Sequence, residues 1–233
     1  MIKTNHWYHW IFALTFWSFA IVFYQKDNID VWGYGTWPIV GFLFLWGLFR
    51  AVNGYLLFKN RIINGSMVVD QRNNGSSVTP SNGTYTLDRW KAYLNGGGAY
   101  SVQKSSTAPT GFINSLLVTV TTADSSIASG DYYILTHLIE GINVGDFAWG
   151  TASACSVTLS FWVRSSLTGT FSGSLENNAG NRAYPFVYTI NSANTWEQKS
   201  ITIAGPTSGG SWNTTNGGGL ELDIGLGGGS TYR

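Results

Sequence analysis

Charge is what this chain has least of. Only 11% of its 233 residues are Asp, Glu, Lys or Arg, less than half of the roughly 25% usual in soluble domains. Thirteen basic residues against twelve acidic ones leave a formal net charge of +1. That excludes the strongly basic surface that holds nucleic-acid phosphates, and no nucleic-acid partner is expected. A single cysteine, Cys155, excludes a disulfide scaffold. Yet 44% of the residues are hydrophobic and 15% aromatic, too apolar for a disordered chain.

What is present is unevenly distributed. Six of the eleven Trp fall within the first 59 residues, and 24 of the 29 Gly come after them. Thr4 to Gln25 carries no charged residue, and neither does Val31 to Phe49. A helix over residues 7–24 would span about 27 Å, close to the roughly 30 Å hydrocarbon core of a bilayer. Pro38 suits the first turn of a second helix over 36–58. Gln25 to Asp30 makes a polar turn between them. The pattern predicts a two-helix transmembrane-type hairpin over residues 1–59, anchoring the chain through residues 7–58. Trp7, Tyr8 and Trp10 stand where an interfacial aromatic belt would, and no small-residue cleavage site follows Tyr24. Lys3 on one side and Lys59 with Arg61 after two crossings place both ends in the cytoplasm. His6 and His9 lack a third ligand, so no metal site is expected there.

Residues 60–233 read differently. Turn signals recur every eight to fifteen residues, among them Asn64-Gly65, Asn74-Gly75, Asn82-Gly83 and Gly96-Gly97-Gly98. Between them lie runs of period two. Val157, Leu159, Phe161 and Val163 alternate with polar residues and Trp162; Tyr184 to Ile190 and Leu220 to Leu226 alternate likewise. Leu116, Val118 and Val120 form another run, and Ile201 with Ile203 one more. These predict a mainly β domain, an antiparallel two-sheet sandwich of jelly-roll type. Leu220 to Leu226 falls close to the C-terminus. As a last, unpaired strand it would be a long apolar edge, which predicts a sandwich completed by further chain or by oligomerisation, a homotrimer among the options.

Three groups of residues carry a resemblance. They are Asn60 to Met67 with Asp70-Gln71-Arg72 and Tyr85 to Trp90; Leu159 to Ser166 with Gly169-Thr170-Phe171; and Asn194 to Lys199 with Ile201 to Gly205. In this order the chain, over about 60–230, resembles the carbohydrate-binding-module-like β-sandwich domain of bacteriophage tail fibre proteins. The resemblance implies a virion tail fibre location and a role in host-surface attachment through a cell-surface glycan. It also implies that the domain continues past Gly229 to Tyr232 by at least one strand.

The chemistry of single residues points the same way. Glu221 and Asp223, two apart on a strand, share a face, but a solvated strand face accounts for them as well as a glycosidase carboxylate pair does. His137 has no Gly-x-Ser-x-Gly partner, and the triglycines lack the Lys-Ser/Thr of a phosphate loop. No catalytic residues and no cofactor are assigned. Sugar binding asks only for an exposed aromatic ring with polar neighbours. Trp162 with Arg164, and Trp149 with Asp146 in the loop Gly145 to Gly150, are the ligand-binding candidates. Trp90 and Trp196 are expected to anchor the core, and Cys155 to be a buried, inert thiol. The expected function is non-enzymatic glycan attachment of tail-fibre type. A membrane-anchored bacterial carbohydrate-binding module is the alternative, and a glycoside hydrolase the third reading.

Overall fold

The computed structural model describes residues 10–15, 18–23 and 59–232. It falls into two units, Met1–Asn60 and Arg61–Arg233.

In the first unit the backbone of β1 (Trp10–Thr15) pairs antiparallel with β2 (Ser18–Phe23). This differs from the expected helix over 7–24. A short apolar run rich in aromatic and β-branched residues suits a strand as well as a helix, and hydrophobicity alone does not separate the two. The expected helix over 36–58 lies outside the described residues. Among the described residues no helix is long and apolar enough to cross a membrane.

The second unit is built on one antiparallel sheet of six strands, ordered β10-β9-β12-β7-β4-β3. These are β3 (Thr84–Tyr85), β4 (Trp90–Asn95), β7 (Tyr132–Glu140), β9 (Gly169–Asn177), β10 (Ala183–Ile190) and β12 (Gly218–Gly228). Two ribbons cover its inner face: β5 (Ala99–Ser105) with β6 (Ser115–Thr122), and β8 (Val157–Val163) with β11 (Glu197–Ile203). The result is a β-sandwich whose second layer is split into two ribbons rather than forming one sheet. Among the described residues helix is confined to three-residue 3-10 turns, such as Gly141–Asn143 and Gly145–Phe147.

Each ribbon closes its own part of the core. Under β8 lie Ile139, Leu175, Phe186, Tyr188, Leu220 and Leu222, met by Val157, Leu159, Phe161 and Val163 from the ribbon. Under β5 and β6 lie Leu87, Trp90, Ala92, Tyr133 and Leu135, met by Tyr100, Val102, Leu116 and Val118. Trp90 anchors the core as expected, its ring edge-on to His137 at 5.1 Å. His137 is fully buried, and its Nε2 sits 2.9 Å from the Ile63 carbonyl. Burial lowers its pKa, so the neutral ring carries its proton on Nε2 and donates it to that carbonyl. Trp196 is only half-buried.

Among the described residues two buried polar side-chain atoms, Arg89 Nε and His137 Nδ1, have no hydrogen-bond partner; other buried polar groups are satisfied locally. Asn177, fully buried between β9 and β10, accepts from the backbone N–H of Asn181 and Arg182 and donates to the Ser211 carbonyl at 2.9 Å. The Tyr133 hydroxyl donates to Asp124 and accepts from the Gly98 N–H, both at 2.7 Å. A Cβ at Gly96 or Gly98 would strike that hydroxyl, so the triglycine is a backbone gap for a tyrosine.

Two expectations are corrected. Leu220 to Leu226 is not an edge: β12 pairs with β7 on one side and β9 on the other, so nothing about this strand demands a further partner. Cys155 is exposed, because it falls in the loop just before β8 rather than on the core face of the strand.

The inner position of β12 sets a measurable contrast. Leu222, 4% exposed, faces the core, whereas Leu226 is 39% exposed. Leu222→Ala should lower unfolding stability by about 2–5 kcal/mol, and Leu226→Ala by less than about 1 kcal/mol, as read by urea unfolding of the full chain. Equal effects would mean that β12 is not an inner strand.

Candidate functional site

The site candidate is the outer face of the six-stranded sheet, away from the ribbons. Strand alternation puts it there. Register pairs Leu222 with His137 and with Leu175, all facing inward, so Glu221, Asp223, Thr136, Ser174 and Glu176 face outward together. Glu221 stands directly opposite Glu176, a pairing that brings Cβ atoms to about 5 Å. Asp223, between Thr136 and Ser174, accepts hydrogen bonds from both of their hydroxyls.

The centre of this face is shielded from solvent. Thr136 is only 3% exposed although none of the described strands lies over it, whereas Val187 on the rim is 67% exposed. Burial pushes the carboxyls of Glu176, Glu221 and Asp223 above the usual carboxylate range. The Asp223 charge raises both glutamates further, while Lys91 pulls Glu221 back down.

Tyrosines border the carboxylates on the β3–β4 side. Lys91 faces outward beside Thr136, and Tyr93 beside Ile134. The Lys91 ammonium lies 4.9 Å from the centre of the Tyr85 ring and 5.7 Å from that of Tyr93; the Arg72 guanidinium lies 4.8 Å from Tyr85. Further along, Tyr132 packs edge-on against Tyr232 at 5.1 Å. The face therefore joins stacking surfaces, cationic donors and carboxylate acceptors in one band. Aromatic rings meet the C–H faces of sugars, and carboxylates accept from neighbouring hydroxyls. Among the described residues no group of three or more His, Cys, Asp or Glu is arranged to hold a metal.

The four residues singled out by sequence are placed elsewhere and in two groups. Trp162 points outward from β8, 38% exposed and opposite Gln198. Arg164 follows it and donates from Nε to the Asn194 carbonyl at 2.8 Å. Trp149 is 8% exposed, packed in the core, with Nε1 donating to the Cys155 carbonyl at 2.8 Å. Its partner Cys155 precedes the start of β8, and Trp162 lies five residues beyond Val157, about 17 Å along the strand. Asp146 is exposed and ion-paired with Arg61, which also donates to the Asn143 carbonyl.

The sheet-face residues were missed for a physical reason. Glu221 and Asp223 share a face, as their spacing implies, but they are half-buried rather than fully solvated. The third carboxylate, Glu176, comes from a strand 45 positions earlier, and only the register reveals it. The alternation of Lys91 and Tyr93 around Ala92 was the readable signal.

No protein-family model matches the chain, and no curated protein does. Similar solved structures include the enzymatically active domain of tailspike protein 4 of bacteriophage CBA120, at 16% identity and a TM-score of 0.37, over 64% of this chain and 19% of that one. A CBM4 structure matches at 16% identity and a TM-score of 0.35, over 71% of this chain and 88% of that one. The family 11 carbohydrate-binding module of the cellulase Lic26A-Cel5E of Clostridium thermocellum matches at 15% identity and a TM-score of 0.31, over 64% and 92%. The chain thus spans about a fifth of the tailspike chain that it matches.

The carboxylates give a pH signature. Their folded pKa values are raised, so the folded state holds protons that the unfolded state releases. Their contribution to stability then falls as pH rises above the unfolded value of about 4 and through the folded values. Glu197 works in the opposite sense. A hydrogen bond from Lys199, then the backbone N–H of Ser192, holds it at about 2. Glu221→Gln should raise the melting temperature at pH 7, and by more than at pH 5; a uniform shift or a loss would remove Glu221 from a crowded carboxylate cluster.

Proposed function

We propose that the sandwich is a non-catalytic glycan-binding domain whose ligand lies across the outer face of the six-stranded sheet. The observation that carries this reading is the outward band of Glu176, Glu221, Asp223, Thr136 and Ser174 bordered by Tyr93 and Tyr132. A saccharide chain stacks C–H faces on the tyrosines and gives hydroxyl hydrogens to the carboxylates. Lys91 donates to hydroxyl oxygens from the β4 side. The resemblance of residues 60–230 to the sandwich of phage tail fibres supports attachment to a host-surface glycan as the biological setting. The membrane reading of residues 7–58 rests on two uncharged, apolar runs, Thr4 to Gln25 and Val31 to Phe49.

A second reading places a glycan on the β8–β11 ribbon. The exposure of Trp162, beside Gln198 and the paired hydroxyls of Ser160 and Ser200, favours it. Arg164 would contribute there as a donor.

Single substitutions separate the two. Under the main reading, Tyr93→Ala or Tyr132→Ala weakens binding to the glycan found by array screening by about tenfold or more, equivalent to about 1.4 kcal/mol. Trp162→Ala leaves that binding within twofold. The reverse pattern assigns binding to the ribbon. An array with no hit above background removes glycan binding as the function.

A further inference from the structure

A separate feature lies at one end of the second unit, where the 3-10 turns after β7 meet the segment 205–217. Between them is a cavity of about 440 Å³, lined among others by Phe147, Trp149, Trp212, Asn213, Thr214 and Leu220. That is within the range of roughly 300–1,000 Å³ typical of small-ligand pockets. Three aromatic rings make its wall. Trp149 meets Trp212 edge-on at 5.2 Å, and Phe147 lies 5.5 Å from Trp149.

Those rings offer surface, not donors. The Trp149 Nε1 donates to the Cys155 carbonyl at 2.8 Å and the Trp212 Nε1 to the Gly209 carbonyl at 2.7 Å. The rings are also fixed in place. A Cβ at Gly150 or Gly210 would come within 2.5 and 2.8 Å of the Trp212 ring, and one at Gly205 within 2.6 Å of Trp149. Backbone packs directly on the indoles, so neither ring can turn without moving a loop.

Polar groups of the lining come from Asn213, Thr214 and Thr151. The Asn213 Oδ1 accepts from the Thr215 N–H and hydroxyl, its Nδ2 donates to the Gly218 carbonyl, and the Thr151 hydroxyl donates to the Ala148 carbonyl. That leaves the Thr214 hydroxyl and the second Nδ2–H of Asn213 for a ligand. None of the lining residues is charged. Asp146, the acidic residue of this loop, is held by Arg61 instead. The lining therefore asks for a neutral group with an apolar part for the rings and an acceptor for these donors. A bare hexose brings to the rings only the C–H face of its own ring. An acetamido group supplies both parts, a methyl and an amide carbonyl.

We infer that this cavity binds the N-acetyl group of a hexosamine unit in a neutral glycan, with the methyl against Trp149, Trp212 and Phe147 and the amide carbonyl accepting from the Thr214 hydroxyl and the second Nδ2–H of Asn213. It is a second subsite, independent of the sheet face.

Calorimetric titration of the full chain with the methyl glycosides of N-acetylglucosamine and N-acetylgalactosamine, beside those of glucose and galactose, tests it. At least one N-acetyl form should bind about tenfold or more tightly than its parent hexose. T214W, which fills the cavity at an exposed position, should abolish that preference while glycan binding at the sheet face persists. T214V, which keeps the shape and removes the hydroxyl, should weaken binding several-fold and serves where T214W fails to fold. Equal affinity for the N-acetyl and parent sugars, or an undiminished preference in both variants, overturns the proposal. Loss of sheet-face binding with the N-acetyl preference intact would sink the main functional reading and leave this one standing.

Discussion

The alternation of β12 between two partner strands is the constraint on which the rest depends. Leu220 and Leu222 are almost fully buried in the core, while Glu221 and Asp223 stand on the opposite face. Pairing with β7 and β9 on either side fixes the register, and a slip of one residue would exchange the two sets. Carboxylates would then enter the core and leucines would line the outer face. Core packing and site chemistry are therefore one decision made by a single strand.

The chemistry of the outer face follows from that decision. Three outward carboxyls come together because β9 and β12 are neighbours although far apart in sequence. Partial burial in the sheet face removes water from them and raises their pKa values. Hydroxyls from Thr136 and Ser174 offset part of that cost at Asp223. A neutral polyhydroxylated ligand would supply further donors to the same acceptors.

Legibility in the sequence tracked how a strand is solvated. β8, β10 and β12 show period two because each meets solvent on one face and core on the other. The outward aim of Trp162 was readable on that basis. β7 was not, because Tyr133 to His137 includes buried residues on both faces and reads as a nearly continuous apolar run. The Glu176–Glu221 pair was hidden because register is non-local. Trp149 sits in a glycine-rich loop that looks exposed in sequence, yet the Cys155 carbonyl and the Trp212 ring draw it into the core. The ion pair of Asp146 is invisible in the loop itself because its partner Arg61 lies 85 positions away.

The most direct measurement is a crystal structure of the chain with an oligosaccharide selected from a glycan array. Sugar rings crossing β4, β7 and β12, with one stacked on Tyr93 or Tyr132 and hydroxyls directed at Glu221 or Asp223, would bear out the account. Saccharide seated only against Trp162 on the β8–β11 ribbon, with the outer face of the six-stranded sheet empty, would contradict it.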